Sequence, residues 1–182
     1  MSLAPRGSGP ALLAPLALAA LAGCSTLAPP SQGIDDTLSG RLSVQVAAHE
    51  GAPARSVSAA FDLRGGAERG ELQLTSPLGT VMAQARWNPS EVLLRSSDGE
   101  KHFRDLPALA DEVLGEPLPL GALFDWLRGR PWAGADSQPL AAPGAGFVQL
   151  GWTVALDRWR EGWVVAHRDA PPAVTVRARL AQ

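Results

Sequence analysis

The chain of 182 residues contains one cysteine, no tyrosine and only three histidines. A lone Cys24 rules out a disulfide within the chain and a metal held by paired cysteines. His49, His102 and His167 lie in distant segments, without H-x-x-x-H or H-E-x-x-H spacing, so the expected metal count is none. There is no G-x-S-x-G elbow, and with Lys101 as the only lysine no serine–lysine pair stands out. Asp111 and Glu112 are neighbours in a helical pattern and face different directions, so they cannot flank one substrate bond. The expectation is therefore a protein without catalytic residues or cofactor, not an enzyme. Charge is also unremarkable: sixteen basic residues stand against eighteen acidic ones with no like-charged run, which sets nucleic acid aside as a partner.

No apolar run is long enough to cross a bilayer. The longest, Ala11–Ala22, is short and broken by Pro15, and it ends in Leu21-Ala22-Gly23-Cys24. That arrangement reads as an export signal over residues 1–23. The L-A-G-C stretch resembles the bacterial lipoprotein processing box, which implies that Cys24 becomes the first mature residue and carries the lipid. Ser25 stands where an aspartate would signal retention in the inner membrane, so the outer membrane is the expected location. Residues 24–37, with Pro29, Pro30 and Gly33, read as a lipidated flexible tether. One domain is expected over residues 38–182.

Within that domain, alternation with a period of two dominates. Leu42, Val44 and Val46 alternate with Ser43 and Gln45, and Val57, Ala59, Phe61 and Leu63 alternate with Ser58 and Asp62. Leu72 and Leu74 are followed by Val81, Ala83, Ala85 and Trp87, with Ser76-Pro77-Leu78-Gly79 between them as a tight turn. This predicts a hairpin with a leucine at its tip, where polar residues are usual. Turn chemistry leaves open whether Leu78 faces outward or folds beneath its own hairpin, although Pro77 and Gly79 give it little to cover. Val92 and Leu94 lead into Asp98-Gly99, a two-residue hairpin signal, and Lys101–Phe103 return. Gly65–Gly70 is glycine-rich, but it sits between alternating runs and opens no helix, so a hairpin loop is expected there and not a phosphate cradle.

The period then changes. Leu106, Leu109, Ala110, Val113 and Leu114 are spaced as a helix, with Pro107 tolerated in the first turn and Gly115 ending it. Leu120, Leu123, Phe124 and Leu127 repeat the spacing until Gly129 and Pro131. Residues 133–146 read as a loose loop, after which Trp152, Val154, Trp163, Val165 and the run Val174–Leu180 resume the alternation. The total is eight to eleven strands with a helical insert, a mainly β chain with a sheet long enough to curl. By strand and helix phase, Phe61, Trp87, Leu94, Leu123, Phe124, Leu127, Trp152 and Trp163 are candidates to line an interior cavity. Plain core packing is the ordinary alternative for each.

Two stretches, "LTSPLG" at Leu74–Gly79 and "LGEPLPLGALFDWLRGRP" at Leu114–Pro131, resemble the LolB family of outer-membrane lipoprotein receptors, as does the order of lipobox, tether, hairpin, helical insert and the G-W-x-V strand at Gly151–Val154. The resemblance implies a half-open, strongly curved antiparallel β-barrel whose short helices cover a hydrophobic cavity for acyl chains. It implies further that the protein, expected to be a monomer, accepts lipoproteins from a LolA-type periplasmic carrier. In the same reading Leu78, set by Pro77 and Gly79, promotes their insertion into the outer membrane. Ser76 stands where the family often has asparagine, and either side chain can start the turn. A structural or accessory subunit of an envelope complex, or a lipid-anchored hydrolase whose site forms only in three dimensions, are the competing readings.

Overall fold

The computed structural model describes residues 37–181. The leader of residues 1–23, Cys24 and the tether up to residue 36 lie outside the described residues.

Eleven strands form one antiparallel sheet. They are β1 (Thr37–Val46), β2 (Arg55–Gly65), β3 (Gly70–Thr75), β4 (Val81–Asn88), β5 (Glu91–Ser96), β6 (Gly99–Phe103), β7 (Ser137–Pro139), β8 (Gly146–Gln149), β9 (Trp152–Ala155), β10 (Trp163–Arg168) and β11 (Val174–Leu180). The spatial order is β6-β5-β4-β3-β2-β1-β11-β10-β9-β8-β7, so consecutive strands are neighbours except β6 and β7, and β1 also lies beside β11. The sheet is curved and unclosed, with β6 and β7 as its two edges. Two helices, α1 (Leu106–Leu114) and α2 (Leu120–Trp126), occupy the one connection that joins those edges.

Alternation decides which side chains point inward. Val44 and Val46 on β1, Ala59, Phe61 and Leu63 on β2, Ala85 and Trp87 on β4, Val92 and Leu94 on β5, and Val174, Val176 and Ala178 on β11 are buried, while Arg41, Asp62, Arg86, Arg177 and Arg179 between them are exposed. The helices meet this inner face, with α1 packing on β2, β5, β6 and α2. In α1 the Asp105 side chain accepts a hydrogen bond from the Ala108 N–H at 2.8 Å, Pro107 occupies the first turn, and Gly115 closes the helix with φ +71°. α2 buries Ala122 through Trp126 on every side, as a helix enclosed by a core does.

Three polar links hold the insert to the sheet on different sides. Lys101 Nζ on β6 meets Glu112 Oε1 of α1 at 2.7 Å, and Arg168 on β10 meets Glu116 Oε1, between the helices, at 2.6 Å. Arg128, after α2, donates to the Gly65 carbonyl at 2.6 Å.

The sequence expectations need three corrections. Residues 133–146 are not all loop, because they hold β7 and lead into β8. β7 is three residues long, contains Pro139 and is exposed throughout, so pairing through its backbone creates it and no apolar period announces it. The β5–β6 turn falls one residue earlier than Asp98-Gly99: Ser96 pairs with Gly99, so Ser97-Asp98 form the loop and Gly99, at φ +103°, opens β6. Trp163 lies on the outer face, opposite Arg179, while its neighbours Val164 and Ala166 point into the core. The segment Trp163–Ala166 is apolar at every position, so its phase is set by pairing with β11 and not by its own pattern.

Candidate functional site

The inner face of the sheet gathers seven of the eight cavity candidates. Phe61, Trp87, Leu94, Leu123, Phe124, Leu127 and Trp152 belong to one cluster, each at most 8% exposed. Trp87 and Phe124 stack with ring centroids 4.8 Å apart, which fixes α2 against β4. The Trp87 indole N–H donates to the Gly66 carbonyl at 2.8 Å, so the β2–β3 turn sets the ring's orientation. Trp163, on the other face, is not part of this assembly.

Sequence phase missed three members. Trp126, 1% exposed, lies off the 120-123-124-127 stripe and tilts against Trp152 at 5.8 Å. Leu118, 1% exposed, lies between the helices. Gln149 is also 1% exposed, and its amide is fully engaged: Oε1 accepts from the Trp126 indole and the Trp132 backbone N–H, while Nε2 donates to the carbonyls of Trp132 and Ala135. The available signal was the near-unbroken apolar run Ala122–Leu127, interrupted only by Asp125, whose Oδ1 accepts from Arg130 Nε at 2.8 Å.

Beside the cluster, an open groove of about 700 Å³ is lined by Trp87, Val92, Leu106, Leu120, Trp132 and Leu150, among others. It opens at the first turn of each helix and beside the β4–β5 turn, the end of the β3–β4 pair remote from the hairpin. Leu150, 46% exposed, marks its rim. The volume falls within the range of about 300–1,000 Å³ usual for sites that enclose a small hydrophobic ligand.

At the opposite end stands the Ser76–Thr80 turn. The Gly79 N–H donates to the Ser76 carbonyl at 2.9 Å, the Ser76 N–H to the Thr80 carbonyl at 2.8 Å, and the Thr80 N–H also reaches Ser76 Oγ at 3.2 Å. Ser76 thus starts the turn through its side-chain oxygen. Gly79 has φ +85°, a backbone conformation that a β-carbon opposes, and open space around its Cα. The resulting closed corner holds Leu78 at 94% exposure. Just beyond it a register shift opposite Leu74–Thr75 leaves Val81 and Met82 exposed too, at 50% and 42%. Three large apolar side chains therefore meet water on one short hairpin.

Histidines do not converge here. His49 sits beside Glu50, and His102, on the edge strand, lies 3.0 Å from Glu91. Among the described residues no group of three or more histidine, cysteine or acidic side chains is placed to hold a metal ion.

The family described as outer membrane lipoprotein LolB matches residues 37–181. The outer-membrane lipoprotein LolB of Bordetella petrii is 32% identical over 176 residues, covering 90% of this chain and 88% of that relative. The protein of the same name from Bordetella pertussis is 36% identical over 152 residues, covering 79% of this chain and 76% of the relative. That of Chromobacterium violaceum is 32% identical over 149 residues and covers 81% of each chain.

Proposed function

Because the chain belongs to the LolB family of outer-membrane lipoproteins, we propose that it is the receptor that takes lipoproteins from a LolA-type periplasmic carrier and releases them into the outer membrane. Its own anchor is the lipid on Cys24, borne on a tether from residue 24 after removal of residues 1–23. The folded receptor domain follows from β1, which begins at Thr37.

Acyl chains are strongly disfavoured in water, so they must pass from one apolar shelter to another. The inner face supplies such a shelter, with the groove rimmed by Leu106, Leu120, Trp132 and Leu150 as its open part. Phe61, Trp87, Leu94, Leu123, Phe124, Leu127 and Trp152 form the apolar wall behind it. If this site holds acyl chains more tightly than the carrier and less tightly than the bilayer, transfer runs downhill without a nucleotide. No bond is made or broken, so the protein needs no catalytic array.

The observation that carries the reading is the exposure of Leu78, 94%, at the tip of a turn closed by hydrogen bonds between Ser76 and Gly79 and between Ser76 and Thr80. Entering a bilayer, that side chain would gain about 1.5–3 kcal/mol. This is too little to anchor a protein, but enough to seat the hairpin among lipid tails when an acyl anchor already holds the domain close. The test is depletion of the protein in cells. Outer-membrane lipoproteins should then remain on the carrier in the periplasm, and normal delivery with an empty carrier would refute the receptor role.

A further inference from the structure

The groove beside the helices is not uniformly apolar. Trp87, Val92 and Ala122 in its lining are buried, whereas the polar lining residues Glu68, Asn88 and Arg104 are exposed or half-buried. An apolar floor beneath a polar mouth suits an amphiphile that enters tail first, with a few polar groups fixing its head.

Two hydrogen-bond donors in this lining have no partner within the protein. The indole N–H groups of Trp87 and Trp126 donate to the Gly66 carbonyl and to Gln149 Oε1. Trp132 is half-buried on the groove wall, and among the described residues nothing accepts from its indole. Asn88 Oδ1 accepts from the Ser90 N–H at 2.9 Å and the Ser90 hydroxyl at 2.7 Å, which leaves the Nδ2 hydrogens unengaged. Trp132 is also held in place. Gln149 accepts from its backbone N–H and donates to its carbonyl, and the ring lies so close to Gly134 that a β-carbon there would collide with it. A donor fixed before its ligand arrives loses little freedom on binding.

Charge at the mouth is unbalanced. Arg104 Nε lies 3.2 Å from the Asp105 carboxylate, whereas Glu68 has no basic partner among the described residues. An anionic head group would meet that uncompensated carboxylate, and a neutral one would not.

We propose that the mouth of the groove binds the carbonyl oxygens at the head of acyl chains, ester or amide, with Trp132 Nε1 and Asn88 Nδ2 as the donors and Glu68 selecting against anionic heads. The inference rests on the reading of this groove as the acyl shelter and names what the shelter recognises. Acyl carbonyls occur both in a lipoprotein anchor and in membrane phospholipid. An acylated N-terminal cysteine adds no phosphate to them, so the Glu68 carboxylate favours the anchor over an anionic phospholipid of the surrounding bilayer.

The test uses the whole mature chain with Cys24→Ser, so that its own lipid cannot occupy the groove. Three probes are compared: the pure hydrocarbon fluorophore diphenylhexatriene, a short-chain triacylated cysteinyl peptide, and phosphatidylglycerol with the same acyl chains. The peptide should bind more tightly than the phospholipid, and Glu68→Lys should narrow or reverse that preference. Trp132→Phe and Asn88→Leu should each weaken the peptide about two- to tenfold more than they weaken diphenylhexatriene, the difference one hydrogen bond makes. Equal weakening of peptide and hydrocarbon in both variants would make these side chains plain wall and refute the carbonyl site, leaving the receptor reading intact. Phospholipid bound as tightly as the peptide before Glu68 is changed would refute the selection by charge. Failure of the otherwise unaltered chain to bind either diphenylhexatriene or the peptide would refute the acyl shelter itself.

Discussion

The two ends of the β3–β4 pair use similar residues for opposite purposes. At one end Trp87, 3% exposed, is stacked, hydrogen-bonded and enclosed by α2. At the other, across a strand of eight residues or about 25 Å, Leu78 is 94% exposed and touches little of its own chain. Burial at the first end contributes to folding. Exposure at the second leaves the hydrophobic driving force of one side chain unspent until another apolar phase arrives. Stability and membrane action should therefore be separable by mutation, which is the comparison the following substitutions probe.

Trp87→Ala should have the largest effect on stability. It removes a stacked ring from a closed core and is expected to cost about 3–5 kcal/mol, read as a lowered denaturation midpoint at unchanged slope. If it instead leaves the midpoint alone, the groove end is not a core. Gly79→Ala comes next, at about 1–2 kcal/mol, because it forces an alanine into left-handed backbone at the hairpin. Its effect on lipoprotein release should exceed its effect on acyl-probe binding.

Leu78→Glu should shift stability by no more than about 0.5 kcal/mol, since nothing packs on the side chain it replaces. Acceptance of cargo from the carrier should persist while release into liposomes falls sharply. Equal loss of both steps would erase the distinction between the two ends.

The smallest change is expected for Glu112→Gln. Lys101 donates to the Glu112 carboxylate and holds it below the usual carboxylate range, while the same bond raises Lys101 above its usual value. A carboxyl group with a depressed folded pKa adds stability above its unfolded pKa and loses it as the pH falls through the folded one. A lysine with a raised pKa adds stability below its unfolded pKa and loses it as the pH rises through the folded one. The substitution should slightly flatten stability against pH at both extremes, and both groups are exposed enough for salt to mask the effect.

Much of this architecture is legible in the sequence. Clean alternation in β1, β2, β4 and β11 states both strand and face, and Ser76–Gly79 states the turn. Pro107 and Gly115 bracket α1. The misses share a cause, namely structure decided by a partner and not by local pattern. β7 exists because β8 offers it a backbone ladder. Trp163 faces outward because Arg179 lies opposite, and an apolar run at every position cannot announce that choice. Gln149 reads as a surface residue until the loop carrying Trp132 and Ala135 folds over it. Exposure at Leu78 was the harder inference, because it depends on turn hydrogen bonds that residue types only suggest.

Every strand pairing in the sheet but one links consecutive strands. The exception is β1 with β11, which spans nearly the whole described chain. Short-range hairpins form early in a nascent polypeptide, whereas a contact between distant segments waits on loop closure. Until β11 arrives, the strands constitute two independent meanders, β1–β6 and β7–β10, each with a raw border. Because β11 is the last strand in chain order, the seam uniting them closes only once that strand is available, and until then the apolar interior stays unsealed.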